Sequence, residues 1–360
     1  YLIKQMKGLI LYATYETIEN KTYIYLFGRL ENKQSFLAIK NFSPYFYVKK
    51  NDVKKLPNSI KKEHISETSL KNFNAESVAK ISFPTKKEMS EALEKINKKI
   101  ETYEADIRPY YRFLMDNKIF NTIEIEGEYA PSEKIDRIYK EPDIKPADCE
   151  PPLKIASIDI ETDKKSDKLF CIGLVSENYK KNFIISRQQL KNAVSCSSEE
   201  ECLEKFKSEL IKLDPDIITG WNIIDFDFIC LQKLFRKHKI KFDIGRTDQE
   251  ASLRIEKNFI RASTMDIPGR QTLDALNLIK DPFLKDSPFI RNINFESYTL
   301  ENVSQAILQK GKLISSENRH DEIEELYKTN SQASLQKLVD YNLTDCELVL
   351  EILEKTKMLD

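Results

Sequence analysis

The residues best equipped for chemistry in this chain are acids. Asp159 and Glu161 sit in the run Ile155-Ala156-Ser157-Ile158-Asp159-Ile160-Glu161-Thr162. Ile155, Ile158 and Ile160 are strand formers, and Pro151-Pro152 just ahead disfavour a helix. Side chains alternate along a strand, so both carboxylates point to one face, about 6.6 Å apart along the backbone. Two carboxylates beside an apolar run repel and are costly to desolvate. A bound cation, a bound proton or plain exposure would each relieve them. Asp227 falls in the first turn of a helix predicted from about residue 225 through Phe228, Leu231, Leu234 and Phe235, where the helix dipole by itself favours an acid. Asp345 lies one turn after Tyr341 on a last helix predicted over 335–353, on the face shared by Leu338, Leu348 and Ile352. A buried carboxylate there needs a partner, and a shared metal is the economical one.

Four acids and one tyrosine are thus expected to converge on one sheet edge. Mg²⁺ or Mn²⁺ takes oxygen ligands from a few carboxylates and leaves positions for water and phosphate. Two such ions about 4 Å apart clamp the attacking and leaving oxygens of an in-line displacement at phosphorus. A nearby tyrosine hydroxyl can orient the attacking water. This is the chemistry of metal-dependent phosphodiester hydrolysis.

The elements that must position these residues follow from pattern. After the acid strand, residues 169–176 and 183–185 complete a meander of three. Ser198 and Glu201 form a capping box for a helix carrying Leu203, Phe206, Leu210 and Leu213, which ends at Asp214-Pro215. A short strand over 217–219 and the turn Gly220-Trp221-Asn222 lead to the helix of Asp227, with Trp221 expected in the core. Residues 270–273 form a strand, and Asp274 caps a helix in a structural role. Residues 299–307 are amphipathic, and a short helix is predicted near 321–327.

The first part of the chain has a different texture. Residues 8–48 hold antiparallel strands with turns at Asn20-Lys21 and Asn32-Lys33. The aromatic run 42–48 is a further strand, placed at an edge by Pro44. A strand over 78–83 and a helix opening at Thr85, with Met89, Leu93 and Ile96 on one face, complete a mixed α/β unit. Its aromatics are expected in a sheet core in preference to stacking on bases. Pro142, Pro146, Pro151 and Pro152 mark a linker over 139–152. We therefore expect two domains, 1–150 and 151–360.

Length and composition agree with two soluble globular domains: 360 residues, 41% hydrophobic and 32% charged. The net charge of −1 carries no global basicity, and pairs such as Lys49-Lys50 and Lys86-Lys87 suit solvated faces. Six scattered cysteines without C-x-x-C, two of them (Cys171 and Cys230) in apolar runs, imply reduced thiols in a cytoplasmic protein. A disulfide frame or a zinc site is not expected. His64, His238 and His320 have no metal-binding spacing, and the run Gly8-Leu9-Ile10-Leu11-Tyr12-Ala13 is too short and too soon interrupted for a signal peptide or membrane span.

The acid set resembles the DEDD exonucleases, in the branch with tyrosine in the third motif, and more narrowly the proofreading domain of family B DNA polymerases. Asp159-Ile160-Glu161 matches the first motif, Asn222-Ile223-Ile224-Asp225-Phe226-Asp227 the second, and Tyr341-Asn342-Leu343-Thr344-Asp345 the third. Leu169 to Leu174, Asp214-Pro215-Asp216-Ile217-Ile218 and Asp345-Cys346-Glu347-Leu348-Val349 look like the bacterial DNA polymerase II type. So does the segment Tyr103 to Met115. The resemblance spans most of residues 100–355 and is weak before that.

The resemblance implies an α/β fold: an RNase H-like mixed-sheet 3′-5′ exonuclease domain after a mixed α/β N-terminal domain. It implies two Mg²⁺ or Mn²⁺ ions. Asp159, Glu161 and Asp345 would hold the first, and Asp159 would bridge to a second supported by Asp227, with Tyr341 orienting the water. Asn222, Phe226 and Phe170 are expected to grip a single-stranded DNA 3′ end. Palm, fingers and thumb domains in a longer chain and a sliding clamp are the implied partners. The polymerase motifs D-x-x-S-L-Y-P and D-T-D do not occur here, so we expect an N-terminal fragment of a polymerase that cannot extend a primer. Two alternatives stand beside this: a non-catalytic nucleic-acid-binding scaffold with an exonuclease fold, and a stand-alone DEDD nuclease acting on RNA.

Overall fold

Aromatic and β-branched runs separated by turn residues build the opening strands, β1 (Met6–Ile18), β2 (Lys21–Leu30) and β3 (Ser35–Phe42). Glu19 and Asn20 both take positive φ, which suits a tight antiparallel hairpin between β1 and β2. The computed structural model describes residues 5–96, 99–256, 262–310 and 319–359. Two units partition the chain, Tyr1–Pro152 and Leu153–Asp360.

In the first unit the chain continues through β4 (Tyr45–Lys49), β5 (Ile65–Lys71), β6 (Ser77–Ser82), α1 (Lys86–Ile96), β7 (Thr102–Tyr103), α2 (Pro109–Asp116), β8 (Thr122–Glu126), β9 (Tyr129–Ala130), β10 (Arg137–Lys140) and β11 (Asp143–Pro146). One sheet has the order β11-β8-β1-β2-β3-β10-β9, the other β5-β6-β4-β7. Two expectations are corrected. β4 is not an edge strand: it lies between β6 and β7, and Pro44 precedes it, so no ladder N–H is lost. The proline-marked tract over 139–152 is not all linker. β10 and β11 are paired strands, and Pro146 ends β11 at the sheet edge, where a proline is tolerated. The aromatics are core, with Phe46 stacked on Phe83 and Tyr45 edge-on to Tyr47.

The second unit holds β12 (Ile155–Thr162), β13 (Leu169–Ser176), β14 (Tyr179–Ile185), β15 (Ala193–Cys196), α3 (Glu199–Leu213), β16 (Ile217–Gly220), α4 (Asp227–Lys237), β17 (Ser252–Arg254), β18 (Thr264–Asp266), β19 (Gln271–Asp274), α5 (Ala275–Lys280), α6 (Pro282–Lys285), α7 (Leu300–Leu308), α8 (Arg319–Thr329) and α9 (Gln332–Thr356). Its main sheet runs β15-β14-β13-β12-β16-β19. The β12-β13-β14 meander is antiparallel, while β15, β16 and β19 pair in parallel.

Period-two alternation gives this sheet two different faces. Ala156, Ile158, Ile160, Ile172 and Leu174 pack with Leu203 and Phe206 of α3 and Phe228 and Leu231 of α4. Cys171, Val175 and Ile184 pack on the other face with Leu335, Leu338, Tyr341 and Cys346 of α9. Ser198 caps α3 by accepting the Glu201 N–H, but the expected capping box does not close: Glu201 accepts instead from Ser197 N and Oγ. Five of the six cysteines are buried and all are free. Among the described residues no helix is long and apolar enough to cross a membrane.

Candidate active site

Asp159 and Glu161 leave β12 on the face that α9 covers, because Ile158 and Ile160, which alternate with them, face the other way. α9 is anchored over that face by Leu335, Leu338 and Val339. About two turns of helix beyond Leu338, Asp345 reaches the two strand acids. Carboxylate oxygens of Asp159, Glu161 and Asp345 lie within 4.8 Å of one another. Glu161 and Asp345 are buried and Asp159 is half-buried. The acids gather at the end of β12, an interior strand between β13 and β16, and not along the side edge of the sheet.

Asp227 arrives from the opposite side. It is the first residue of α4, whose apolar face packs on the other side of the sheet. The turn before α4 is held by Asp274, whose carboxylate accepts the N–H groups of Asn222 and Ile224, both at 3.2 Å, while capping α5. Asn222 itself takes a positive φ of 59°. Asp227 Oδ1 then accepts the Ile160 N–H at 3.0 Å, which seats its carboxylate between the positions of Asp159 and Glu161 in sequence.

The electrostatics match this crowding. Burial pushes the Asp227 carboxyl well above the usual carboxylate range; Asp159 and Glu161 push it further, against the Ile160 N–H. Burial raises the Tyr341 phenol strongly, and Asp345 and Glu161 add to that. Burial works against the Arg319 guanidinium, yet Tyr341, Glu161, Asp345 and Asp159 hold its pKa above the ordinary arginine value.

A cleft of about 380 Å³ opens on the acids. Asp159, Glu161, Asp227 and Asp345 line it, as do Asn222 and Phe226. Tyr341 is fully buried beside the acids and is not part of the lining. Phe170 does not join them, which corrects its expected role at a 3′ end. The register of β12 and β13 skips it between Cys171 and Leu169, so this bulge residue shares the α9 face with Cys171. There it is 2% exposed and stacked on Tyr327 at 4.1 Å. Trp221, expected in the core, is half-buried in the cleft wall, where its indole N–H donates to Tyr298 O at 3.3 Å.

Sequence reasoning missed Thr162, Leu276, Tyr298, Thr299, Leu300, Arg319 and His320 in the lining. The helix predicted near 321–327 begins two residues earlier, at Arg319, and that extension brings Arg319 and His320 to the cleft. The cap of α7 at Thr299 was the available signal for the other wall.

An oxygen-only set of clustered carboxylates suits a hard divalent cation and is a poor match for soft metals. The donor set therefore fits the metal that the sequence motifs imply.

Comparison with known proteins agrees with the fold. Residues 100–303 match the family model of the DNA polymerase family B exonuclease domain. The chain belongs to that family. It is 32% identical over 270 residues to DNA polymerase II of Escherichia coli (strain K12), covering 72% of this chain and 32% of that protein. A DNA polymerase of Pyrococcus glycovorans is 24% identical over 365 residues, covering 96% of this chain and 42% of the relative. The chain thus spans well under half the length of these relatives. The fold resembles that of the family B DNA polymerase from the hyperthermophilic archaeon Pyrobaculum calidifontis, with a TM-score of 0.71 at 18% identity, covering 97% of this chain and 46% of that one. The expected α/β class, an RNase H-like mixed-sheet unit after a mixed α/β unit, is the one observed.

Proposed function

We propose that this chain removes nucleotides 3′ to 5′ from single-stranded DNA, as the proofreading exonuclease of a family B polymerase. The observation that carries the reading is the clustering of Asp159, Glu161 and Asp345 within 4.8 Å in a cleft that Asp227 also lines. Asp159, Glu161 and Asp345 would hold one Mg²⁺ or Mn²⁺ ion, and Asp159 with Asp227 a second. When bound, such ions stabilise developing charge on phosphate oxygens and lower the pKa of an attacking water. The Tyr341 hydroxyl, buried beside the acids, would orient that water. Asn222 and Phe226 grip the terminal nucleotide, and Phe226, 36% exposed, offers a ring face to a base. The cleft is a recess, so a paired end must melt before it reaches the acids.

In this reading Tyr1–Pro152 serves as the N-terminal domain and Leu153–Asp360 as the exonuclease domain. Polymerase domains and a sliding clamp are the further partners. A cytoplasmic setting accords with the free cysteines.

The test uses 5′-labelled DNA and RNA oligomers, single- and double-stranded, with Mg²⁺, Mn²⁺ or EDTA. Shortening of single-stranded DNA from its 3′ end, abolished by EDTA, is the expected result. Preference for RNA would favour a stand-alone ribonuclease. Metal binding without cleavage of any substrate would favour the scaffold.

A further inference from the structure

Three residues on adjacent strands lie in one register row. Asp159 pairs with Gly173, and Gly173 pairs with Asn182. Residues directly opposite one another in a sheet point to the same face, here the face under α9. The middle position has no side chain, and the gap is occupied by Asn342 of α9: a Cβ on Gly173 would overlap Asn342 Oδ1 and come within 3.0 Å of Cys346 Sγ. Asn342 Nδ2 donates to Asp159 Oδ2 at 2.7 Å and to the Asp159 carbonyl at 3.1 Å. Asn182 Nδ2 donates to Asn342 Oδ1 at 2.6 Å. Both asparagines are 0% exposed.

Donor and acceptor chemistry gives this row a direction. An ionised carboxylate only accepts, so Asn342 must present its NH₂ to Asp159. Its carbonyl then faces Asn182, which must donate. Two buried amides in series therefore select one orientation, and that orientation engages one oxygen of Asp159.

The geometry points to Asn342 and Asn182 as positioning residues for the Asp159 carboxylate. By engaging Oδ2 they aim Asp159 Oδ1 into the cleft and hold its rotamer before a cation arrives. Gly173 is the space that admits the relay. This rests on the proposed metal site and adds to it the residues that orient one of its ligands. Outer partners of this kind typically change metal affinity by 10–100-fold when removed.

The test is Mn²⁺ binding by the chain without substrate, followed by loss of the free-ion signal in electron paramagnetic resonance, with thermal unfolding alongside. Asn342→Leu should weaken Mn²⁺ about 10–100-fold, and Asn182→Leu should weaken it less. The double variant should match Asn342→Leu, because both substitutions break one chain of bonds. In the nuclease assay the Mn²⁺ concentration for half-activity should rise more than kcat at saturating Mn²⁺ falls. Wild-type Mn²⁺ affinity in Asn342→Leu, or effects that multiply in the double variant, would overturn the proposal. If Asn342→Leu does not fold, Asn182→Leu decides: a lowered Tm with unchanged Mn²⁺ affinity means these amides are merely structural. Asp159→Asn is the control. If it binds Mn²⁺ like the wild type, the metal site itself fails; if it loses Mn²⁺ while Asn342→Leu does not, only the relay fails.

Discussion

Two groups of buried and half-buried acids belong to the same α/β unit and are resolved in opposite ways. Asp214 and Asp216, around Pro215 at the start of β16, meet Arg246 and Arg270. Arg246 binds Asp214 at 2.8 Å and Asp216 at 2.7 Å, and Arg270 binds Asp214 at 2.8 Å. Further hydrogen bonds join Arg246 to Gly269 O, Arg270 to Ile244 O, and Lys154 N to Asp216. Both arginine side chains are fully buried. Burial, with Arg246 nearby, pushes Arg270 down to about 10, so even this matched cluster carries strain from desolvation.

At the end of β12 the balance differs. Among the described residues, four carboxylates line the cleft together with Arg319 and His320, and oxygens of three of the acids lie within 4.8 Å of one another. The matched cluster closes on itself and ties three segments together. The acid-rich cluster opens into a cleft, where its carboxylates line a space that a ligand can enter. Buried acids by themselves do not mark a functional site; an excess of them over nearby cations, facing a cavity, does.

The largest expected effect tests the acid-rich side. Asp159→Ala removes a ligand shared by both proposed ions, and metal-dependent cleavage should fall by more than the ~100-fold upper figure for outer-partner losses. Near-normal activity in metal-controlled assays would erase the distinction between the clusters. The counterpart is Arg246→Met, which takes the buried Asp216 carboxylate's arginine away while Asp214 keeps Arg270, and should cost about 3–5 kcal/mol of stability. Calorimetry should show a lowered Tm, with Mn²⁺ affinity of the folded protein unchanged. Loss of Mn²⁺ binding at normal Tm would make the matched cluster part of the site.

A smaller effect is expected for Tyr341→Phe, which leaves every carboxylate in place. Activity should fall about 10–100-fold while Mn²⁺ affinity holds, and equal losses in both would place Tyr341 among the ligand supports. The smallest effect is on stability without metal. The Asp227 carboxyl is raised in the fold, so its contribution is full below the unfolded value of about 3.9 and is lost as pH rises through the folded value. Asp227→Asn should therefore stabilise the metal-free protein at neutral pH, on the order of 1 kcal/mol or about 2–4 °C, and flatten its Tm against pH. It should also reduce the Tm gain on adding Mn²⁺. A metal-free Tm that fell at neutral pH would show that Asp227 is structurally matched after all.

Local periodicity determined much of this in advance. Alternation placed Asp159 and Glu161 on one face, and helical spacing put Tyr341 and Asp345 one turn apart, because backbone dihedrals set both repeats regardless of context. The motifs then supplied the family. Where long-range packing chose, local pattern was silent or misleading. A bulge reversed the alternation at Phe170 and sent it under α9. A strand later in the chain made β4 interior. Asp227 reaches Ile160 N across 67 residues, and Asn342 reaches Asp159 across 183. Such contacts depend on how closely a helix can approach a sheet, which here turns on a missing Cβ at Gly173, and that distance exists only once the tertiary structure has formed.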